Sequence, residues 1–229
     1  MAIGQEHTVK AFDQDIKQLR ALISQMGGLA EQAIDDAMKA LQRGDTVLAD
    51  EVRKKDKAID AIEAEVEKLA VRVIALRAPM ADDLREVIAA LKIAAVVERI
   101  GDYAKNIAKR VPLIHTEGED RIEALSLLPS MAQMASDMVH DALDAFASRD
   151  AESAARVCQR DSALDDFYDS IFRTLVTFMV ENPRTVSQVA HLLFVAKNIE
   201  RIGDHATNVA EMVFFAATGR YLADENAAG

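Results

Sequence analysis

One stretch occurs twice in this chain and limits the folds open to it. Residues 98–108 read Glu-Arg-Ile-Gly-Asp-Tyr-Ala-Lys-Asn-Ile-Ala, and residues 200–210 read Glu-Arg-Ile-Gly-Asp-His-Ala-Thr-Asn-Val-Ala. Eight of the eleven positions are identical, and a ninth exchanges Ile107 for Val209. The duplication extends upstream. Asp45 matches Asp150, Asp56 matches Asp161 and Asp60 matches Asp165 at an offset of 105, whereas Glu98 matches Glu200 at 102. A unit repeated once in this way predicts two like halves.

Each half reads as three long helices. Phe12, Ile16, Leu19, Ile23, Met26, Ala30, Ile34, Ala37 and Leu41 keep a helical period over 8–42. Residues 1–7 look frayed, and Gly27-Gly28 can bend that helix without ending it. Gly44 followed by Asp45-Thr46 is a stop and an N-cap signal. A second helix follows to residue 77, where Ala78-Pro79 breaks it. The third spans 81–110. The plan restarts with helices at 121–148, 150–181 and 185–218. Asn182-Pro183 supplies the second break and Gly219 a C-cap. The expected architecture is all-α: two tandem antiparallel three-helix bundles from an internal duplication, at 1–112 and 121–229. Residues 113–120 should be the linker and the stretch from Asp224 a short disordered tail.

Composition agrees, with four Pro, nine Gly and no Trp among 229 residues. The net charge of −11 argues against nucleic acid or an anionic membrane as the main partner and is compatible with cations or basic protein surfaces. Cys158 is the only cysteine, so no intrachain disulfide forms and a reducing compartment fits. It reads as packing. No secretory leader opens the chain, and Lys92, Arg173 and Lys197 interrupt the longest apolar runs, which predicts a cytoplasmic protein without a membrane span.

The repeated motif places Glu98 with Asp102, and Glu200 with Asp204, on one helix face at a spacing that carries mutual repulsion. Residues 60 and 98 lie equally far from Pro79, as do 56 and 102. Residues 165 and 200, and 161 and 204, lie symmetrically about the Asn182-Pro183 bond. Antiparallel packing therefore brings four carboxylates together in each half: Asp56, Asp60, Glu98 and Asp102, then Asp161, Asp165, Glu200 and Asp204. Four acids in a partly dry groove need protons, basic neighbours or cations.

An all-oxygen site suits Mg²⁺, Mn²⁺, Ca²⁺ or oxidised iron better than a thiol-preferring metal. The competing reading is a solvated acidic groove or an Arg–carboxylate network. Asn106 and Asn208 sit one turn further along and can bond the ligating acids. Arg99 and Arg201 follow the acids directly but lean off the seam. His205 is the one histidine near the acids, with Tyr103 at its place in the first half. Gly101 and Gly203, each costing about 1 kcal/mol of helix stability, point to close approach. No Glu-x-x-His pair, phosphate-cradling glycine loop or nucleophile–base motif is present.

Both copies of Glu-Arg-Ile-Gly-Asp, together with Asp56-Lys-Ala-Ile-Asp60 and Leu76-Arg-Ala-Pro-Met-Ala-Asp-Asp-Leu-Arg85, closely resemble the PhoU family of phosphate-specific transport system accessory proteins. The resemblance covers almost the whole chain, including the closing Met212-Val-Phe-Phe-Ala-Ala-Thr-Gly219. It implies a cytoplasmic, frequently homodimeric protein that negatively regulates phosphate-starvation signalling. It also implies partners: the phosphate ABC transporter, through a PstB-like ATPase, and a PhoR-like sensor histidine kinase. By position it assigns metal ions to the eight acids above, with the identity open among Mg, Mn, Fe or Zn. The second half lacks the Asp-Asp-Leu-Arg series, so a role for Arg85 would make the halves unequal.

Three readings follow. The first is a non-enzymatic adaptor that moderates phosphate uptake. The second is a structural scaffold with neutralised acidic seams. The third is a carboxylate-bridged metalloenzyme, disfavoured by the missing histidine ligands.

Overall fold

Two aspartates start the second long helical segment of each half. Asp45 accepts from the backbone N–H groups of Val47 and Leu48, and Asp150 from those of Glu152 and Ser153. Each thereby satisfies donors that the first helical turn leaves open. In the computed structural model, residues 2–115 and 123–226 are described, with side chains over 11–115 and 125–224. The long helices are α1 (Ala2–Arg43), α2 (Thr46–Arg77) and α3 (Asp82–Ala108), then α5 (Leu128–Ser148), α7 (Asp161–Glu181) and α8 (Val186–Thr218). Short helices are α4 (Val111–Ile114), α6 (Ala151–Gln159) and α9 (Leu222–Asn226), with 3₁₀ turns at Glu123–Leu127 and Pro183–Thr185. No strand occurs among the described residues.

Helices α1, α2 and α3 pack on one another, and α5 with α6 and α7 packs around α8. These are two tandem three-helix bundles, with α6 and α7 together in the place of α2. Across the halves α1 meets α5 and α3 meets α8, so one apolar cluster runs through both. The expected stripe of α1 from Ile16 to Leu41 is buried throughout. So is the α3 stripe of Ile93, Val97, Ile100, Ala104 and Ile107. On its other side α3 is only partly covered, with Val87 and Ala94 buried but Leu84 and Ala95 exposed.

Several boundaries differ from expectation. Helix α1 reaches back to Ala2 and runs straight through Gly27-Gly28. Gly27 instead makes room for the Leu143 side chain of α5, where a Cβ would collide. The expected linker begins inside α4, where Ile114 is buried, and His115 Nε2 donates to the Leu41 carbonyl at 2.6 Å. That contact fastens the segment to the end of α1. Residues 116–120 of the linker lie outside the described residues, as do Met1 and 227–229. The expected 150–181 helix is interrupted at Arg160, where bonding tightens to i→i+3 pairs: Arg160 N to the Val157 carbonyl at 3.0 Å, and Ala163 N to the Arg160 carbonyl at 3.2 Å. The tail is helical over Leu222–Asn226, with Leu222 against the core.

A buried ion-pair cluster joins the halves. Glu86 of α3 accepts from Arg20 Nε of α1 at 2.7 Å and faces Arg149 of the second half at 3.3 Å. Two guanidinium groups on one buried carboxylate compensate its desolvation. Among the described residues, no helix is long and apolar enough to cross a membrane.

Ile100 and Ile202 occupy equivalent positions in the repeated motif and both are fully buried. Ile100→Ala and Ile202→Ala should each cost about 2–5 kcal/mol of unfolding free energy. Urea denaturation checks this, and a loss below about 1 kcal/mol at either site would contradict the shared core.

Candidate metal centre

The acids are brought together by the residue next to them. Ile59 of α2 and Leu164 of α7 precede Asp60 and Asp165, and each packs onto a glycine of the repeated motif. A Cβ on Gly101 would stand 2.7 Å from Ile59 Cδ1, and one on Gly203 would collide with Leu164. The missing side chains let the paired helices close up at the height of the carboxylates.

In the second half Asp165, Glu200 and Asp204 each offer an oxygen within 4.8 Å of the others. Oxygens on opposite sides of a hard divalent ion are about 4–5 Å apart, so this donor set has the chemistry and span for one. Glu200 is 8% exposed. Its Oε1 accepts from Lys197 Nζ, while its Oε2 is buried without a hydrogen-bond partner. A buried oxygen left unpaired is costly, and a cation would relieve it. No hydrogen bond or ion pair reaches Asp165 or Asp204 among the described residues. Burial, then repulsion from Glu200 and Asp161, pushes the Asp204 carboxyl up to about 6 despite Lys197. Asp165 is raised for the same reasons: burial first, then Asp161 and Glu200. Asp161 stands beside the group, its Oδ1 accepting from Thr207 Oγ1 at 3.1 Å.

The first half differs. Lys105 Nζ of α3 donates to Asp56 Oδ2 across the seam and to Asp102 Oδ1 at 2.9 Å. Asp56 is 5% exposed. Asp60 is exposed and Glu98 half-buried. Burial, followed by Asp102, Glu63, Asp60 and Asp56, raises the Glu98 carboxyl. Among the described residues, no three acids of this seam share the spacing found in the second.

The flanking residues fall elsewhere. Arg99 and Arg201 are exposed, and Arg201 Cζ lies 5.9 Å from the centre of the Tyr103 ring. Tyr103 and His205, equivalent positions of the repeat, meet edge to face at 5.1 Å between α3 and α8. His205 Nδ1 donates to the Arg201 carbonyl at 2.8 Å. Burial and the charges of Arg99 and Arg201 lower the His205 pKa, which keeps the ring neutral. Asn106 Oδ1 accepts from Lys109 Nζ at 3.0 Å, and Asn208 is exposed. Arg85 is remote from the acids, bonded to Asp82 at 2.6 Å and packed on Gly219. Cys158 is half-buried, and burial pushes its thiol up to about 11, so it is protonated and inert near neutrality.

The residues that sequence reasoning missed are Lys105, Lys197 and Thr207. Their signal was helical spacing: Lys105 is three residues after Asp102, Lys197 three before Glu200, and Thr207 three after Asp204.

Residues 23–111 and 128–213 each match the family model described as PhoU domain. The chain is 52% identical over 216 residues to a Zymomonas mobilis protein named phosphate-specific transport system accessory protein PhoU homolog, covering 94% of this chain and 90% of that one. A Caulobacter vibrioides protein of the same name is 44% identical over 220 residues, with 96% and 95% covered. The crystal structure of PhoU from Pseudomonas aeruginosa superposes with a TM-score of 0.87 at 38% identity, over 91% of this chain and all of that one.

A carboxyl raised to about 6 from an ordinary value of 3.8 holds its proton more tightly folded than unfolded. Its ionisation therefore lowers stability as pH rises through that interval, and the deficit persists above it. Asp204→Asn should raise the melting temperature of chelator-treated protein above about pH 7, with the advantage shrinking towards pH 4. Melting curves across that range decide it, and a variant less stable than wild type at neutral pH would sink the repulsion argument.

Proposed function

Because the chain belongs to the PhoU family, we propose that it is a non-enzymatic cytoplasmic regulator that moderates phosphate uptake and represses phosphate-starvation signalling. Its partners in this reading are a PstB-like transporter ATPase and a PhoR-like sensor histidine kinase, and it acts as a homodimer. The observation that carries the reading is similarity across both repeats to accessory proteins of phosphate-specific transport. Those relatives are named for assisting a transport system, which favours an adaptor over an enzyme.

The converging acids support metal binding as part of this role. Asp165, Glu200 and Asp204 would hold a hard cation such as Mg²⁺ or Mn²⁺, with Asp161 beside them. A bound ion supplies positive charge that offsets the mutual repulsion. The chain does the rest. Asp165 comes from α7 and the other two from α8, so the three acids span the joint between these helices. Lys197 holds one oxygen of Glu200 and leaves the other, buried one without a hydrogen-bond partner. Any ion that binds the folded arrangement and not the unfolded chain stabilises that joint.

Deleting the gene should switch on a phosphate-starvation reporter in phosphate-replete medium, and the wild-type gene should silence it again. A reporter that stays off in the deletion strain would overturn the regulatory reading. Complementation with Glu200→Gln/Asp204→Asn then tests the acids, and restoration equal to wild type would separate metal from the regulatory role.

A further inference from the structure

The two seams descend from one unit, so each serves as a control for the other. We propose that Lys105 is a built-in cation that closes the first acidic seam to metal, leaving the second seam as the chain's binding site for hard divalent ions. The inference rests on the metal reading of the second seam given above.

Lys105 is supplied by the same helix as Asp102, yet it reaches Asp56 on α2. Its ammonium lies between the two acids and so occupies Asp102, the counterpart of Asp204, which an ion shared by α2 and α3 would need. Asp56 is buried, so its charge requires a partner, and Lys105 provides one that is covalently held. Only 27% of the Lys105 side chain is exposed, which distinguishes this bridge from a solvated surface pair.

At the equivalent position the second half has Thr207. Thr207 Oγ1 bonds Asp161, the counterpart of Asp56, so the same acid is met by a neutral hydroxyl in place of a cation. The ammonium that the second seam does have comes from Lys197, whose counterpart is Ala95. Its side chain is 41% exposed, and its one ion pair is with one oxygen of Glu200 on its own helix. That contact leaves Glu200 Oε2 orphaned and, among the described residues, Asp165 and Asp204 without ion pairs. One seam is internally compensated and the other awaits compensation.

The test counts Mn²⁺ bound per chain by equilibrium dialysis and metal analysis, with Mn²⁺-dependent melting as a second readout. Wild-type binding should vanish in Glu200→Gln/Asp204→Asn and survive Asp56→Asn/Glu98→Gln. Lys105→Thr should about double the metal bound by giving the first seam the residue that the second has at that position, with the gain removed by Glu98→Gln/Asp102→Asn. Thr207→Lys should abolish wild-type binding, and this arm stands even where Lys105→Thr fails to fold. Wild-type binding lost on changing the first-seam acids, no gain in folded Lys105→Thr, or undiminished binding in folded Thr207→Lys would each overturn the inference. Metal bound by Lys105→Thr and by no protein with Lys105 would refute the second-seam reading while upholding the role of Lys105. Metal bound by none of these proteins would refute both.

Discussion

Carboxylates carried on the inner edge of a helix cannot be packed against a neighbouring helix unless opposite charge comes with them. Desolvation and mutual repulsion both act against the ionised form, and each weakens only when a proton, a basic side chain or a cation is supplied. Almost every local feature around the repeated motif answers to this constraint. Gly101 and Gly203 let the helices close, which removes water from the seams. Glu98, Asp165 and Asp204 are pushed up by that closure, with burial the largest cause for each. Among the described residues, Lys105 and Lys197 bring positive charge to these seams.

Much of this was legible in the sequence because it depends on spacing. The N-caps at Asp45 and Asp150 and the C-cap at Gly219 follow from short-range chemistry, and each stands where its residue type requires. The breaks before Pro79 and Pro183 set the hairpin registers, and those registers place Asp56 level with Asp102 and bring Asp165 to Glu200. The interruption at Arg160 was not legible, since neither proline nor glycine marks it and the equivalent Lys55 lies inside an unbroken α2. The short helix at Leu222–Asn226 was missed because its polar composition hid the single apolar residue that anchors it.

The candidate site was legible as a set of acids and illegible as a charge balance. The arginines directly after the glutamates lie exposed, off the seam as expected, because one residue along a helix is a large turn around it. The lysines that matter sit three residues from an acid, on the same face. The step from an intrahelical pair to a bridge across helices needs the position of Asp56, which only packing supplies. Tyr103 and His205 make a related point. As unlike residues at one repeat position they read as divergence, and in the fold they meet each other where α3 and α8 cross between the halves.

The half without a built-in bridge is also the half whose acid-bearing helix fully buries fewer large apolar side chains. Helix α2 runs unbroken and buries Val52, Ile59, Ile62, Val66, Leu69 and Val73 along its length. Helix α7 starts anew after Arg160 and fully buries only Leu164, Ile171 and Leu175. Repulsion among Asp161, Asp165, Glu200 and Asp204 thus acts across a joint secured by three core side chains. In the first half, the Lys105 bridge pulls across a joint where the matching stretch of α2 buries five large ones: Ile59, Ile62, Val66, Leu69 and Val73. Where charge is balanced internally, the helix position is set by apolar packing. Where it is not, the balance of charge between α7 and α8 contributes to where α7 rests, and that dependence follows from the sequence difference between Lys105 and Thr207.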